Sequence, residues 1–328
     1  MGSSTAGRTL LKALLGLSLV VGAGCREDPA GPEQRTVPQQ ERWGIYRLEL
    51  ATGDVELIHA TELAVSGLAL DPAGTRLAFA MKAGPAALDT SSEIYSIGTD
   101  GTGERRLTNN TYFDAYPSFS PDGSKVIFLS KRNGTLDLYV MNVDGSDQLL
   151  LYDSGGHDAD VDWGRNGDIV FTRDHQIWLL PQDGTGPRQV TAPADAGRWG
   201  SANLPVGDYD PRLSPDCTRI VFERLEDPER PHGGYDIFLV HVDGTGERRL
   251  TDNGYAQGLA SWSDSGDRIV YTVAAIDGQG RYRIYMINAD GTGNRNVTPA
   301  YFPTNFLVHQ AIFARDERGL YFIAEWWD

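Results

Sequence analysis

The segments PSFSPDGSKVIFLS (residues 117–130) and LDLYVMNVDGSDQ (residues 136–148) hold the pattern that decides the fold. They comprise a buried strand, a Ser-Pro-Asp-Gly turn, a second strand, and a third strand that ends in an Asp-Gly turn. Pro at the second turn position fixes φ, and Gly tolerates positive φ. Asp-Gly between apolar runs is a strong hairpin signal. The two segments therefore predict successive antiparallel hairpins.

The same pattern recurs along the 328 residues, at intervals of 44 to 51 residues between the apolar anchors of the first strands. A repeat of this length indicates a stacked or circular array, and four antiparallel strands per repeat are typical of a β-propeller blade. The six anchors are Leu70, Phe119, Trp163, Leu213, Trp262 and Phe313.

The sixth repeat is divided between the two ends of the sequence. Around and after Phe313 there are only two strands, whereas residues 43–50 and 55–59 have the pattern of a third and a fourth strand. Joining these pairs completes a sheet and removes its free edges. We therefore expect an all-β fold over residues 43–328: a six-bladed β-propeller of four-stranded antiparallel blades, closed by N-terminal strands that complete the C-terminal blade.

Residues 1–24 have the features of a signal peptide. Arg8 and Lys12 precede or enter an apolar run over residues 10–21, and small residues follow at 22–24. This order is typical of a secretory signal. The alternative is a retained membrane anchor, although the run is shorter than the roughly 20 apolar residues of a spanning helix.

Cys25, with the small residues before it, resembles the lipoprotein box of bacterial lipoproteins, although Gly22 stands where that family usually has Leu. The resemblance implies a lipid anchor on Cys25, followed by a flexible tether over residues 25–42 that is rich in Pro, Gln and charge. Arg26, rather than Asp, after the cysteine implies the outer membrane, facing the periplasm or the cell surface. We therefore expect an exported, lipid-anchored protein.

The composition excludes some classes of function. A formal net charge of −16 argues against nucleic-acid binding, which needs a basic surface. Cys217 is the only cysteine besides Cys25, so an acylated Cys25 leaves no intramolecular disulfide. Cys217 stands where other repeats have a turn Gly, and we interpret it as a turn substitution rather than a reactive thiol. We expect a monomer without a cofactor.

Acidic residues occur at two fixed positions before the anchors, three and five residues upstream, in three consecutive repeats. The inner strand of each blade begins there, so these positions should surround the mouth of the central tunnel. Clustered carboxylates would attract cations or basic groups, although Asp also commonly caps turns. The candidate ligand-binding residues are Asp114, Tyr116, Asp158, Asp160, Asp208, Asp210, Gln257 and Gln310.

Two further groups lie near these positions. His157, Asp158 and Asp160 form a weak candidate site for Ca²⁺ or Mn²⁺, without the spacing of a known metal motif. Aromatic residues in the longer connections could stack on sugars, anchor a peptide, or fold back onto the blades. They are Tyr112, Phe113, Tyr116, Trp199, Tyr209, Tyr255, Tyr301 and Phe306.

The repeat at residues 117–145 resembles the propeller repeat of the TolB family, and the resemblance covers residues 43–328. The complete fold, the lipid tether and the lack of a nucleophile constellation favour a non-catalytic module that binds an envelope protein or peptide at its tunnel face. A short tether stands where TolB itself has an α/β domain, so we expect a lipoprotein relative rather than TolB proper. The alternative is a carbohydrate-binding protein or a propeller-type polysaccharide lyase, possibly metal-assisted. No Ser-His-Asp or Gly-x-Ser-x-Gly signature is present to support hydrolysis.

Overall fold

The computed structural model describes residues 36–37, 41–82, 84, 91–156, 158–229, 234–274 and 282–327. These residues form 24 β-strands in six four-stranded antiparallel sheets, and they include no helix. The predicted signal peptide, Cys25 and His157 lie outside the described residues. None of the described segments is a helix long and apolar enough to cross a membrane.

Each sheet is one blade. The chain begins with β1 (Trp43–Glu49) and β2 (Val55–Thr61). Blade 1 contains β3 (Val65–Leu70), β4 (Arg76–Lys82), β5 (Ser92–Gly98) and β6 (Arg105–Arg106). Blade 2 contains β7 (Asp114–Phe119), β8 (Lys125–Ser130), β9 (Asp137–Asn142) and β10 (Leu149–Tyr152). Blade 3 contains β11 (Asp158–Trp163), β12 (Ile169–Arg173), β13 (Gln176–Leu180) and β14 (Arg188–Gln189).

The remaining blades follow in the same order. Blade 4 contains β15 (Gly207–Leu213), β16 (Arg219–Asp227), β17 (Gly234–His241) and β18 (Arg248–Arg249). Blade 5 contains β19 (Ala256–Trp262), β20 (Arg268–Ala274), β21 (Tyr282–Asn288) and β22 (Arg295–Asn296). Blade 6 combines β23 (Phe306–Phe313) and β24 (Gly319–Trp326) with β1 and β2.

The closure predicted from the divided repeat is confirmed. Strand β1 pairs with β24 in an unbroken antiparallel register, from Trp43 opposite Glu325 to Glu49 opposite Gly319. The first strand of each blade contacts the first strands of both neighbouring blades, in the order β3, β7, β11, β15, β19, β23 and back to β3. These six inner strands therefore surround the central tunnel.

The blades pack on one another through a repeated aromatic side chain. Each second strand contributes one ring that is fully buried, and burying such a side chain stabilises the fold by about 1.5–3 kcal/mol. The same position in the repeat therefore supplies the packing layer of every blade. These rings belong to Phe79, Phe128, Phe171, Phe222, Tyr271 and Phe322.

The turn after each anchor contains a residue in the left-handed backbone conformation, with positive φ. Gly supplies it in blades 1, 2, 3 and 5, whereas Cys217 (φ 54°) and Glu317 (φ 53°) take this conformation in blades 4 and 6. The Cys217 N–H donates to the carbonyl oxygen of Ser214 (2.8 Å), and burial raises the pKa of its thiol. Cys217 is thus a turn residue whose thiol ionises less readily than an exposed thiol.

The outer edges of the blades differ in one place. Strands β6, β14, β18 and β22 are two residues long and each begins with an exposed or half-buried Arg. Strand β10 of blade 2 has four residues instead, and Leu149, Leu150 and Leu151 are 62%, 46% and 41% exposed. Charged, short edges discourage pairing with other chains, so β10 is the least protected of these five edges.

Candidate functional site

One end of the tunnel opens into a cavity of about 600 Å³. All six blades contribute inner-strand residues to its wall, and the connection before β15 adds Trp199 and residues 203–205. The other lining residues lie on second and third strands, as Thr172, Glu223 and Tyr235 do, or in the connections between these strands and between neighbouring blades. The cavity therefore lies at the face with the longer connections.

A β-bulge in each inner strand shapes the cavity wall, because the pairing with the second strand shifts there in every blade. In five blades the residue three before the anchor has a positive φ of 49° to 64°. Bulges redirect side chains, and Asp tolerates this conformation better than most residues. All five residues line the cavity: Gly67, Tyr116, Asp160, Asp210 and Leu259.

Several polar side chains of the wall join neighbouring blades. The backbone N–H of Asp210 donates to Asp160 Oδ2 (3.3 Å), and that of Leu259 donates to Glu223 Oε2 (3.0 Å). The amide oxygen of Gln310 accepts a hydrogen bond from the Leu68 N–H (2.8 Å). These acceptors satisfy backbone groups beside the bulges, so part of the polar wall stabilises the ring itself.

Asp210 differs from these acceptors. Its side chain lines the cavity but is only 8% exposed, and Oδ1 has no hydrogen-bond partner among the described residues. A buried polar atom without a partner is costly. Glu223 lies beside it, because Glu223 pairs with Tyr209 in the ladder between β16 and β15.

Burial raises the pKa values of Asp160, Asp210 and Glu223, and the last reaches about 8. The neighbouring carboxyls add to the rise for Asp210 and Glu223, whereas Arg212 opposes it for all three. Burial likewise raises the pKa of Tyr116. The cavity wall therefore contains carboxyl groups that retain protons near neutral pH.

The sequence pattern did not identify Glu223. It lies on the second strand of its blade, outside the two positions three and five residues before the anchors. The residues at the same position of the second strand in the other blades are Ala80, Leu129, Thr172, Thr272 and Ile323. A single carboxylate in this column, inside an apolar strand, is the signal that could have revealed it.

Asp114 and Asp208 are not part of the cavity lining. Both are fully buried within their blades, and Arg224 binds Asp208 through two nitrogens at 2.6 and 2.9 Å. Arg132 Nη2 binds Asp114 Oδ2 at 3.1 Å, and Asn110 donates to the same oxygen at 2.7 Å. Their arginines also lie over aromatic rings of the blade. These contacts give both aspartates an ion-pairing role inside the sheet.

Asp158 occupies the same position in blade 3 and touches the cavity. It pairs with Arg173 in the strand ladder, but the Arg173 guanidinium donates to the Ser154 carbonyl oxygen (3.0 Å) and lies over the ring of Trp178. Neither Asp158 oxygen accepts a hydrogen bond of good geometry from the described residues. Burial raises the pKa of Asp158 to about 7, and the nearby Ser154 hydroxyl offsets part of this rise.

The two candidate glutamines also line the cavity. Gln257 is buried and donates to Asp236 Oδ1 (2.8 Å), while Gln310 bonds the Leu68 backbone. His157 of the candidate metal site lies outside the described residues. Within the described part of the chain, no three His, Cys, Asp or Glu side chains are grouped to hold a metal ion.

Aromatic side chains form much of the remaining wall. Phe113, Tyr116, Trp199 and Tyr209 of the sequence-predicted set line the cavity. Phe306 instead packs in the core of blade 6, with Tyr301 against it, whereas Tyr112 and Tyr255 are exposed elsewhere. Four lining aromatics were not expected from the sequence: Trp43, Tyr235, Tyr282 and Trp327.

Residues 38–191 match the family model described as the TolB beta propeller domain. The chain is 31% identical over 161 residues to a protein TolB homolog of Chlorobium luteolum, covering 48% of this chain and 33% of the relative. It is 25% identical over 193 residues to an uncharacterized protein of Agrobacterium fabrum, covering 55% of this chain and 61% of the relative.

Among solved structures, a putative TolB from Agrobacterium tumefaciens has a TM-score of 0.66 at 17% identity, covering 87% of this chain and 98% of that one. At this identity the likeness concerns the fold alone. The matches span less than two thirds of the length of the curated relatives described above. Residues 38–191 therefore belong to the TolB β-propeller domain family, and the described chain as a whole is a six-bladed propeller of the TolB type.

Proposed function

We propose that the mature protein is a membrane-tethered, extracytoplasmic propeller that binds a protein or peptide partner in the cavity at its tunnel mouth, without catalysis. The observation that carries the proposal is the cavity itself. Its volume of about 600 Å³ lies within the range of ligand sites, roughly 300–1,000 Å³. Its wall combines aromatic rings with buried carboxyl groups, a combination that suits side chains of a peptide.

The exposed rim supports binding of a partner that approaches from outside. Trp199 lines the cavity yet is 53% exposed, on the connection between β14 and β15. Large aromatic side chains at a rim commonly act as anchors in interfaces. The cavity thus offers an apolar anchor at its entrance and polar groups in its interior.

The absence of catalysis is part of the proposal. The only described thiol, Cys217, is buried in a turn, and burial raises its pKa, so it is a poor nucleophile. The raised pKa values near the cavity are compatible with acid–base chemistry, so activity needs a direct test. Release of unsaturated products from acidic oligosaccharides, followed by ultraviolet absorbance, would contradict the non-catalytic assignment and favour a lyase.

Partner binding can be tested by affinity capture from envelope extracts with residues 26–328. Trp199→Ala should remove the captured partner, because it deletes the exposed aromatic of the cavity rim. Tyr112→Ala is the matched control, since Tyr112 is 46% exposed but is not part of the cavity lining. If wild type, Trp199→Ala and Tyr112→Ala capture the same proteins in equal amounts, the cavity is not the binding site.

The tether and location are tested separately. Cys25→Ala should move the full-length protein from the membrane fraction to the soluble fraction, because the lipid chains would no longer be attached. Unchanged fractionation would contradict the lipoprotein assignment while leaving the binding proposal intact. Protease accessibility in whole cells would then distinguish a periplasmic from a surface location.

A further inference from the structure

Asp210 and Glu223 form a buried carboxyl pair in the cavity wall of blade 4. They come from the neighbouring strands β15 and β16, and their side chains are 8% and 9% exposed. Gly258 on the next blade leaves room for Glu223, because a Cβ at that position would collide with Oε2. The Leu259 N–H donates to Glu223 Oε2 (3.0 Å) and holds this carboxyl in the wall beside Asp210.

The pair has unused hydrogen-bonding capacity toward the cavity. Asp210 Oδ1 accepts no hydrogen bond from the described residues when both carboxyls are ionised, whereas a proton held between Asp210 and Glu223 joins the two groups. Thr272, 5% exposed on β20, also lines the cavity, and its hydroxyl has no partner within the described part of the chain. A buried polar group without a protein partner takes its hydrogen bond from an ordered water or a ligand.

The charges around the pair are not balanced when the carboxyls are ionised. The neighbouring titratable groups are Asp160 on β11, Arg212 on β15 and Tyr116 on β7, together with Tyr209 and Tyr235 behind them. Among the described residues, Arg212 is the cation that lowers the pKa of all three carboxyls, and its guanidinium donates to the Pro211 carbonyl oxygen (2.8 Å). If all three carboxyls ionise, one guanidinium leaves two negative charges uncompensated.

We propose that Asp210 and Glu223 form the binding site for a basic side chain, Lys or Arg, of the partner peptide. This inference rests on the proposed function and specifies the chemistry of the ligand. A Lys ammonium carries three N–H donors, and Arg carries five. Either group can donate to both carboxylates, and the cavity volume of about 600 Å³ exceeds the volume of the side chain that carries it.

Binding of a cation is linked to release of a proton. Without ligand, the pair holds a proton near neutral pH, because Glu223 has a pKa of about 8 and that of Asp210 is raised well above its usual value. A bound ammonium or guanidinium takes the place of that proton, which passes to solvent. Affinity should therefore rise with pH below about 8, by up to about tenfold per unit.

The test uses two capped tripeptides, acetyl-Ala-Lys-Ala-amide and its Gln counterpart, titrated calorimetrically against the soluble protein. The Lys peptide should bind with release of up to one proton, measured in buffers of different ionisation enthalpy, and the Gln peptide should not. Asp210→Asn should weaken binding of the Lys peptide by about tenfold to a hundredfold, as for loss of a hydrogen bond to a charged group. Glu223→Gln is the second variant, because its amide oxygen can still accept the Leu259 N–H.

Glu56→Gln is the matched control, since Glu56 is an exposed carboxylate that is not part of the cavity lining. Its affinity for the Lys peptide should stay within about twofold of wild type. Equal binding of the Lys and Gln peptides, no binding of either, or an unchanged affinity in both pair variants would overturn the inference. If one of these results is obtained while partner capture still depends on Trp199, only the site for a basic group is wrong. If the protein still prefers the Lys peptide but capture no longer depends on Trp199, only the proposed function is wrong.

Discussion

Replacing Glu223 with Gln should make the protein more resistant to unfolding at high pH. In the folded protein the pKa of Glu223 is about 8, whereas its ordinary value is 4.5. Below pH 4.5 the folded and unfolded states both hold the proton. Between pH 4.5 and 8 the unfolded chain loses it while the folded protein retains it, so stability falls across this window.

The magnitude follows from the two pKa values. At about 1.36 kcal/mol per pH unit, the wild type should lose about 5 kcal/mol of unfolding free energy to this group between pH 4.5 and 8. The Gln variant lacks this titration, and its amide oxygen can replace Oε2 as acceptor for the Leu259 N–H, 3.0 Å away in the wild type. The variant should therefore be close to wild type at pH 4.5 and clearly more stable at pH 9.

The assay is urea unfolding followed by tryptophan fluorescence at intervals from pH 4.5 to 9. Glu62→Gln, an exposed carboxylate at the cavity, is the control and should change the unfolding free energy by less than about 0.5 kcal/mol at every pH. Parallel pH profiles for wild type and Glu223→Gln would refute the reasoning, because they would mean that Glu223 is already ionised in the folded protein at neutral pH.

Other substitutions test the scaffold. In urea titrations, Arg224→Met should lower the unfolding free energy by about 3–5 kcal/mol, because it leaves the carboxylate of Asp208 buried without its partner. The control Arg47→Met removes a more exposed ion pair and should lower the unfolding free energy by less than about 1 kcal/mol. Leu150→Arg should leave stability within about 0.5 kcal/mol and reduce self-association in light scattering, since it places a charge on the unprotected edge. Gly67→Ala should lower thermal stability by about 1–3 kcal/mol, because φ is 64° there and the new Cβ would crowd a neighbouring backbone.

The repeated pattern predicted the fold because its signals are local. Turn residues and alternating apolar positions lie within a few residues of one another, so each hairpin is evident in the sequence. The closure of blade 6 could also be predicted, since the residues at 43–50 have the same pattern as the third strand of every other repeat. The strand at Trp43 and its pairing with β24 confirm that interpretation.

The candidate site was less predictable, because it depends on contacts between strands and blades. Asp208 and Asp210 are two residues apart in one strand, yet Arg224 pairs with the first inside the blade, while the bulge brings the second to the cavity. The register of a single repeat cannot separate these outcomes. Glu223 became recognisable only when the pairing of β16 with β15 placed it beside Asp210.

The join between β1 and β24 has a consequence for how the molecule is made. About 280 residues separate Trp43 from its partner Glu325, and at roughly 5–20 residues per second a ribosome needs about 15–60 s to add them. Throughout that interval β1 lacks β24, the strand with which it pairs in blade 6. A nascent chain that lacks β24 keeps the edges of β1 and β23 exposed to chaperones and proteases, so blade 6 is complete only after β24 has been made.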